Sequence, residues 1–267
     1  MDKKVAIIIP FYKDELLHNE SVALQQCFKI LGSHTVIAIK PERLVLPPAA
    51  TQYPFFKMTT FNNSFFEDVQ GYNRLMLSAE FYDAFIDYEY VLIYQLDAFV
   101  FKDELLYWCS QGFDYIGAPW IEQYIFSNIF ETVKSKLQSY YYTRFNVQVN
   151  GLPSYKQFKY KVGNGGFSLR RTKLFKSLCI EMSDKIAEYN KQENHLFNED
   201  VFWSIEVNRK RKVLKIPNYK KALQFSFEFH PKTALQINNN HLPFGCHAWD
   251  LKIEFWRPIF KEAGYDI

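Results

Sequence analysis

The chain has 267 residues, 48% hydrophobic and 23% charged, with a formal net charge of +3. That length suits one hydrophobic core with decorations, so a single domain over residues 1-267 is expected. The small net charge gives no support for a nucleic-acid partner, and no stretch reaches the ~18 consecutive apolar residues that a membrane span requires.

Aromatic residues reach 18%, including 26 Phe and 18 Tyr, which supplies many flat contact surfaces, most of them destined for the core. The cysteines Cys27, Cys109, Cys179 and Cys246 are far apart and form no CxxC pair. They are expected to be reduced thiols of a cytosolic protein, not a disulfide frame or a zinc site. The opening "MDKKVAIIIPFYK" carries a short apolar run interrupted by Pro10, too short for a span and without a cleavage signal.

Taken in chain order, residues 3–12 form a continuous β-branched run ended by proline, the pattern of a buried parallel strand. "NESVALQQCFKILG" follows at helical spacing with Gly32 as a stop, and "HTVIAIK" (34–40) predicts a second strand. Strand, helix, strand with short connections is a βαβ unit. "FKMTTF" predicts a short third strand, residues 69–85 a helix, and "YVLIYQLDAFVF" (90–101) another buried strand.

That last strand contains a lone acid, Asp97. A carboxylate in apolar surroundings must be paired, protonated or bound to a cation. It either caps the turn that follows or holds a metal or ligand. Its place toward the carboxyl end of a central strand favours the second reading, because ligands of open α/β sheets collect there. Residues 121–161 interrupt the α/β alternation and predict an insertion or lid, with an amphipathic helix first and then a Tyr- and Lys-rich stretch.

Three further clusters carry chemistry. "VGNGGFSLRR" (162–171) sets three glycines in four positions, which permits positive φ or close backbone approach. It is neither a Walker loop nor GxGxxG. "NEDVFW" (198–203) presents Glu199 and Asp200 before a helical stretch, either as helix-start acids or, in a cleft, as a general base. "NNNHLPFGCHAWD" (238–250) offers His247 as a metal ligand or as a hydrogen-bonded loop residue.

In order, "IIIPFY", "QLD", "GNGGFSLR", "NED" and "HAWD" resemble a GT-A glycosyltransferase. They are most similar to the glycosyltransferase-like proteins of bacteria and fungi long grouped as a domain of unknown function. The resemblance runs from Val5 to about Trp256. It implies an α/β fold of GT-A (Rossmann-like) type, with a mixed, mainly parallel sheet flanked by helices. It further implies an enzyme that moves a sugar from a nucleotide-diphosphate donor, by default UDP, to a glycan or lipid-linked acceptor in surface polysaccharide synthesis.

By the same resemblance Asp97 and His247 hold Mn2+ or Mg2+, with Gln95 standing where the family's DxD motif has its first Asp. Arg170, Arg171 or a lysine would supply the positive charge in the metal's absence. Pro10, Phe11 and Tyr12 contact the nucleotide, Gly165 and Gly166 lie under the donor sugar, and Trp120 and Trp249 are platforms for the acceptor. Asp200 is the base of an inverting displacement and Glu199 orients it or binds acceptor.

Two other readings stand beside this one. A carbohydrate-binding protein on a degenerate transferase fold would explain Gln95. A sugar nucleotidyltransferase would need a glycine-rich loop after the first strand, which "PFYKDELLHNES" lacks. Basic-aromatic clusters at 155–161, 208–215 and 218–222 suit an anionic membrane surface. The expected location is therefore cytoplasmic and peripheral on the inner face of the cell membrane.

Overall fold

A computed structural model describes residues 3–125 and 128–267. Residues 126 and 127, within the predicted insertion, and the first two residues lie outside the described residues. The chain opens with β1 (Lys3–Pro10), α1 (His18–Leu31), β2 (Thr35–Pro41) and β3 (Lys57–Phe61), followed by α2 (Val69–Met76) and β4 (Tyr88–Tyr94). Short β5 (Phe99–Val100) and β6 (Tyr115–Ile116) lead to α3 (Ile129–Arg144), and β7 (Gln148–Val149) pairs with β8 (Leu152–Pro153) in a hairpin. Then come β9 (Phe167–Arg171), α4 (Thr172–Glu181), β10 (Ser226–Phe227), β11 (Gly245–Cys246) and α5 (Ile253–Glu262).

Six strands form the main sheet in the order β3-β2-β1-β4-β9-β6, and only β9 runs against the rest. The fold is thus mixed α/β with a mainly parallel sheet flanked by helices. β1 is central and buried on both faces, which is why it is apolar without alternation. Val5, Ile7 and Ile9 pack with Leu24, Cys27 and Leu31 of α1 on one face. Ala6 and Ile8 pack with Phe81, Tyr82 and Phe175 on the other, the two-residue period of a strand made visible. A third core joins Phe99 to Trp249, Trp256 and Phe260.

Three local expectations are corrected. The helix expected over 69–85 is two helices, because Ser78 caps a new start at Ala79–Asp83 by accepting from Phe81 N–H at 3.1 Å. Asp97 is not inside a strand; β4 ends at Tyr94, and a tight turn closes with Ala98 N–H donating to Gln95 O at 2.9 Å. The Tyr- and Lys-rich stretch after α3 contains a hairpin not included in the sequence-based expectation. Asn150 and Gly151, both at positive φ (53° and 77°), form the two-residue turn of the β7–β8 hairpin, an Asn-Gly signal present in the sequence.

The cluster at 208–215 is not a uniform basic surface either. Arg209 is buried and binds Glu206 at 2.7 Å, and it donates to Thr143 O at 2.6 Å. It therefore fastens the end of α3 to the body of the protein. Replacing one member of a buried ion pair strands the other, at about 3–5 kcal/mol. Arg209→Ala is expected to lose about 3 kcal/mol, because Glu206 keeps the Tyr189 hydroxyl. Urea unfolding checks the loss and limited proteolysis checks its location. Unchanged cleavage within residues 129–161 would disprove the fastening role.

Candidate active site

The chemistry-bearing residues gather beyond the carboxyl ends of β1 and β4. β9 is antiparallel to β4 with Phe167 opposite Tyr94, so the glycines before β9 lie at this same edge. Gln95 N–H donates to Gly166 O at 2.8 Å and extends the ladder past Tyr94. A small second sheet, β10-β11-β5, completes the edge. Cys246 pairs with Phe99 and with Phe227, so the next residue, His247, is carried beside the Asp97 turn and beside Glu228.

His247 is the hub of one half. Its Nε2 lies 3.1 Å from Asp97 Oδ1 and 3.2 Å from Gln95 Oε1. Its Nδ1 lies 3.3 Å from Glu228 Oε1 and 2.9 Å from the Asn164 amide nitrogen. Burial lowers the imidazole's pKa, but Asp97 and Glu228 outweigh it and raise it to about 10. The two neighbours of Nδ1 make opposite demands, an acceptor for Asn164 and a donor for Glu228. The charge on the carboxylates decides for a donated Nδ1–H. Burial raises the Asp97 carboxyl, yet His247 holds it below the usual range. Ala248, directly after, sits at φ 48°, a conformation costly for a residue with a Cβ, and this fixes the direction in which His247 leaves the strand.

Arg170 and Glu199 are the hub of the other half. They form a buried pair at 2.9 Å. Arg170 also reaches Tyr82 Oη at 3.0 Å, Ser168 Oγ at 3.0 Å and Gly165 O at 3.2 Å. Glu199 N–H donates to Asn73 Oδ1 at 3.1 Å, which holds the start of this helical turn. Asp200 follows, in a segment that continues as a π-helical stretch over Phe202–Glu206, a distortion frequent at functional sites. Burial, then Glu199 and Glu228, push the Asp200 carboxyl up to about 7, the range of a general base.

The glycine loop joins the halves, for a reason other than turn geometry. The left-handed residue is Asn164 (φ 86°), and its side chain accepts from Phe167 N–H at 3.1 Å. The glycines are needed for close approach. A Cβ on Gly165 would lie 1.9 Å from Glu199 Oε1, and one on Gly166 1.9 Å from His247 Nε2. A Cβ on Gly163 would strike the Trp120 ring at 2.1 Å.

The structure brings together Gln95, Asp97, Gly165, Gly166, Glu199 and His247 through direct contacts, with Asp200 in their electrostatic field. Tyr12 is 53% exposed and close enough to Asp97 to feel its charge. Pro10 and Phe11 are buried, Phe11 packing edge-on against Phe55, so only Tyr12 of that trio presents a side-chain face. Trp120 is half-buried over Gly163, whereas Trp249 is fully buried against Phe260 and offers no platform. Arg171 is held by Asp114, Glu89 and Tyr90, and Arg170 by Glu199, so neither arginine is free to replace a metal.

Sequence reasoning passed over Glu228, Asn164 and Tyr72. Tyr72 sits beside Gln95 under the influence of Arg170, Glu199 and Asp97. A signal for Glu228 existed, since "SFEFHP" repeats the "QLDAFVF" pattern of one acid among buried aromatics.

For a divalent cation, the Asp97 Oδ1 that pairs with His247 and the buried Glu228 Oε2, which lacks a hydrogen-bond partner, flank an imidazole. Oxygen and imidazole donors suit Mg2+ or Mn2+. Among the described residues no three His, Cys, Asp or Glu side chains already stand in metal-centre geometry. Asp97 and His247, with the Gln95 oxygen, therefore fit as an edge that a ligand-borne cation completes.

The architecture is a glycosyltransferase-like fold of GT-A type. It is similar to the crystal structure of the galactosyltransferase LgtC in complex with donor and acceptor sugar analogues, with a TM-score of 0.50, 13% identity, and coverage of 91% of this chain and 86% of that one. The chain belongs to the DUF5672 family, described as a protein of unknown function, whose model matches residues 55–247. Among curated protein sequences nothing matches it.

Two outcomes follow from this geometry. Gly165→Ala drives a methyl group into the Arg170–Glu199 pair and should lower stability by about 1–3 kcal/mol in urea titration. An unchanged midpoint would show that the approach is not tight. Asp200, with a folded pKa near 7 against an ordinary 3.8, binds its proton more tightly folded than unfolded. Its stabilising effect is full below the ordinary value and lost as pH rises toward 7. Asp200→Asn removes that loss, so the variant's melting temperature relative to wild type should climb between pH 5 and pH 8. A pH-independent difference would contradict the raised pKa.

Proposed function

We propose that the protein is a nucleotide-sugar glycosyltransferase. It moves a sugar from a nucleoside-diphosphate donor, UDP-linked by default, to a hydroxyl of a glycan or lipid-linked acceptor in surface polysaccharide assembly, the chain acting as one domain. One observation carries this reading. A carboxylate–imidazole edge (Asp97, His247) and a base-poised acid (Asp200) flank one glycine floor at the carboxyl edge of a mainly parallel sheet.

In the proposed reaction the donor lies over Gly165 and Gly166, with its base beside the exposed face of Tyr12. Gln95 donates its amide N–H to the ribose or a phosphate oxygen. Mn2+ or Mg2+ held by Asp97 and by His247, whose Nε2 would give up its proton to the metal's approach, would supply positive charge to the departing diphosphate. Glu228 accepts the His247 Nδ1–H and so aims Nε2 at that edge, an outer-shell role.

Asp200 accepts the acceptor's hydroxyl proton as the acceptor oxygen bonds to the anomeric carbon. The bond from that carbon to the phosphate oxygen breaks, its electron pair leaves with the diphosphate, and the configuration inverts. Glu199, fixed by Arg170, orients the acceptor through its free, buried Oε2. Trp120 borders the acceptor side.

The test is a thermal-shift screen of nucleotide sugars with and without Mn2+, followed by transfer assays with NMR of the product anomer. Asp97→Ala should abolish the metal-dependent part of the shift. Asp200→Asn should retain the shift yet lose about 10²–10⁴-fold in transfer rate. The reading fails if no nucleoside diphosphate stabilises the wild-type protein.

A further inference from the structure

Helix α3 is mounted inside out. Its inward face is polar. Ser139 Oγ donates to Lys159 O at 2.8 Å, Thr143 Oγ1 to Gln157 O at 3.2 Å, and Ser135 Oγ to Glu122 at 3.3 Å. Its outward face is apolar. Phe130 is 77% exposed and Leu137 64%, with Val133, Tyr140 and Tyr141 on the same stripe at three- and four-residue spacing. Tyr124 and Ile125, before the helix, and Phe145, after it, are exposed as well. A helix of a water-facing lid would be oriented the other way.

Positive charge surrounds this stripe. Residues 121–161 hold six basic side chains against two acidic ones. Lys134 and Arg144 are exposed on α3 itself. Arg144 donates to Arg209 O at 3.3 Å, which sets the exposed Lys210, Arg211 and Lys212 beside the helix's last turn. A second copy meeting this face about a two-fold axis would oppose like charges. An anionic surface satisfies the apolar stripe and its basic surround together.

We propose that the outer face of α3 seats in the interface of an anionic lipid bilayer. Phe130, Val133 and Leu137 enter the headgroup–acyl boundary, the tyrosines lie at headgroup level, and the flanking lysines and arginines meet lipid phosphates. The acid-poor insertion thus becomes the membrane-contacting surface, and Arg209 is the pin that holds it at a fixed angle to the sheet. This inference does not rest on the transferase reading, since its test needs neither donor nor metal.

The test is co-sedimentation of the full chain with phosphatidylcholine vesicles with and without phosphatidylglycerol, together with sedimentation velocity in their absence. Wild type should partition onto the anionic vesicles and be released progressively by salt. Phe130→Glu and Leu137→Glu, both at exposed positions, should fold as wild type by circular dichroism and each lose about tenfold or more of that partitioning. Lys134→Glu and Lys212→Glu should each lose at least about fivefold of the preference for anionic vesicles.

Equal, weak recovery with both vesicle types would overturn the proposal, as would binding that Phe130→Glu and Leu137→Glu leave intact. A dimer in sedimentation velocity that Leu137→Glu dissociates, without vesicle binding, would assign the face to a second copy instead. Loss of nucleotide binding in the transferase test would leave the vesicle result standing, so the two failures are distinguishable.

Discussion

The site depends on how closely the backbone at Gly165 and Gly166 approaches two side chains from distant parts of the sequence. Glu199 touches one glycine and His247 the other, and in both places a Cβ would lie 1.9 Å from a side-chain atom. The loop is therefore a hinge pin between a carboxylate–imidazole edge and an arginine–carboxylate pair. Remove either hydrogen atom of the pin in favour of a methyl group and the two halves must separate. Local stability rests on this contact, and under the proposed function ligand and base placement would rest on it too.

Behind that contact lies an ion pair that burial would forbid if it were alone. Arg170 is completely enclosed, and a charge so placed persists only with its hydrogen bonds satisfied. Glu199, Tyr82, Ser168 and the Gly165 carbonyl provide them. This network spends Arg170 on architecture and spends half of Glu199 with it. What remains available to a ligand is Glu199 Oε2 and the neighbouring Asp200, whose proton burial first, and then the enclosed negative charges, make hard to release. Glu199 of a structural pair thus adds to the raised pKa of the acid one residue away.

The parts of this arrangement that were legible in the sequence share a physical origin. β1, β2 and β4 are buried on both faces, so their apolar runs are continuous, and α1 carries a helical stripe because it covers one face only. The order of "QLD", "GNGG", "NED" and "HAWD" along the chain was readable because each is a loop at one sheet edge. What could not be read is tertiary. Whether Trp249 faces solvent or Phe260 depends on a third core assembled from the C-terminal helix, and no local pattern encodes it. Glu228 becomes a neighbour of His247 only through the two-residue strands β10 and β11, too short for any periodicity. Helix α3 misleads for the opposite reason, since its pattern is amphipathic as expected but its apolar side points outward. The Asn150-Gly151 hairpin was in plain view and marks the boundary where the insertion turns back.

The charge inventory constrains what can occupy the edge. Asp200 lies in the field of Glu199 and Glu228, and Glu228 shares His247 with Asp97, so four carboxyl groups gather against Arg170 and a protonated His247. Arg170 is spent on Glu199. A diphosphate approaching Asp97 and Glu228 would thus meet like charge with little free positive charge in return, a repulsion that the low dielectric of a half-buried site magnifies. Gln95 helps, since an amide where the resembled motif has an acid removes one negative charge. It does not suffice, because Glu228 Oε2 on this edge still lacks a hydrogen-bond partner. Under the proposed function, Asp97 and Glu228 would hold a divalent cation bound with the diphosphate, and its charge would offset both the carboxylates and the phosphates. Donor and cation would then bind tightly together and weakly apart. On that reading the Asp97 and Glu228 carboxylates would favour a metal–diphosphate complex over either component.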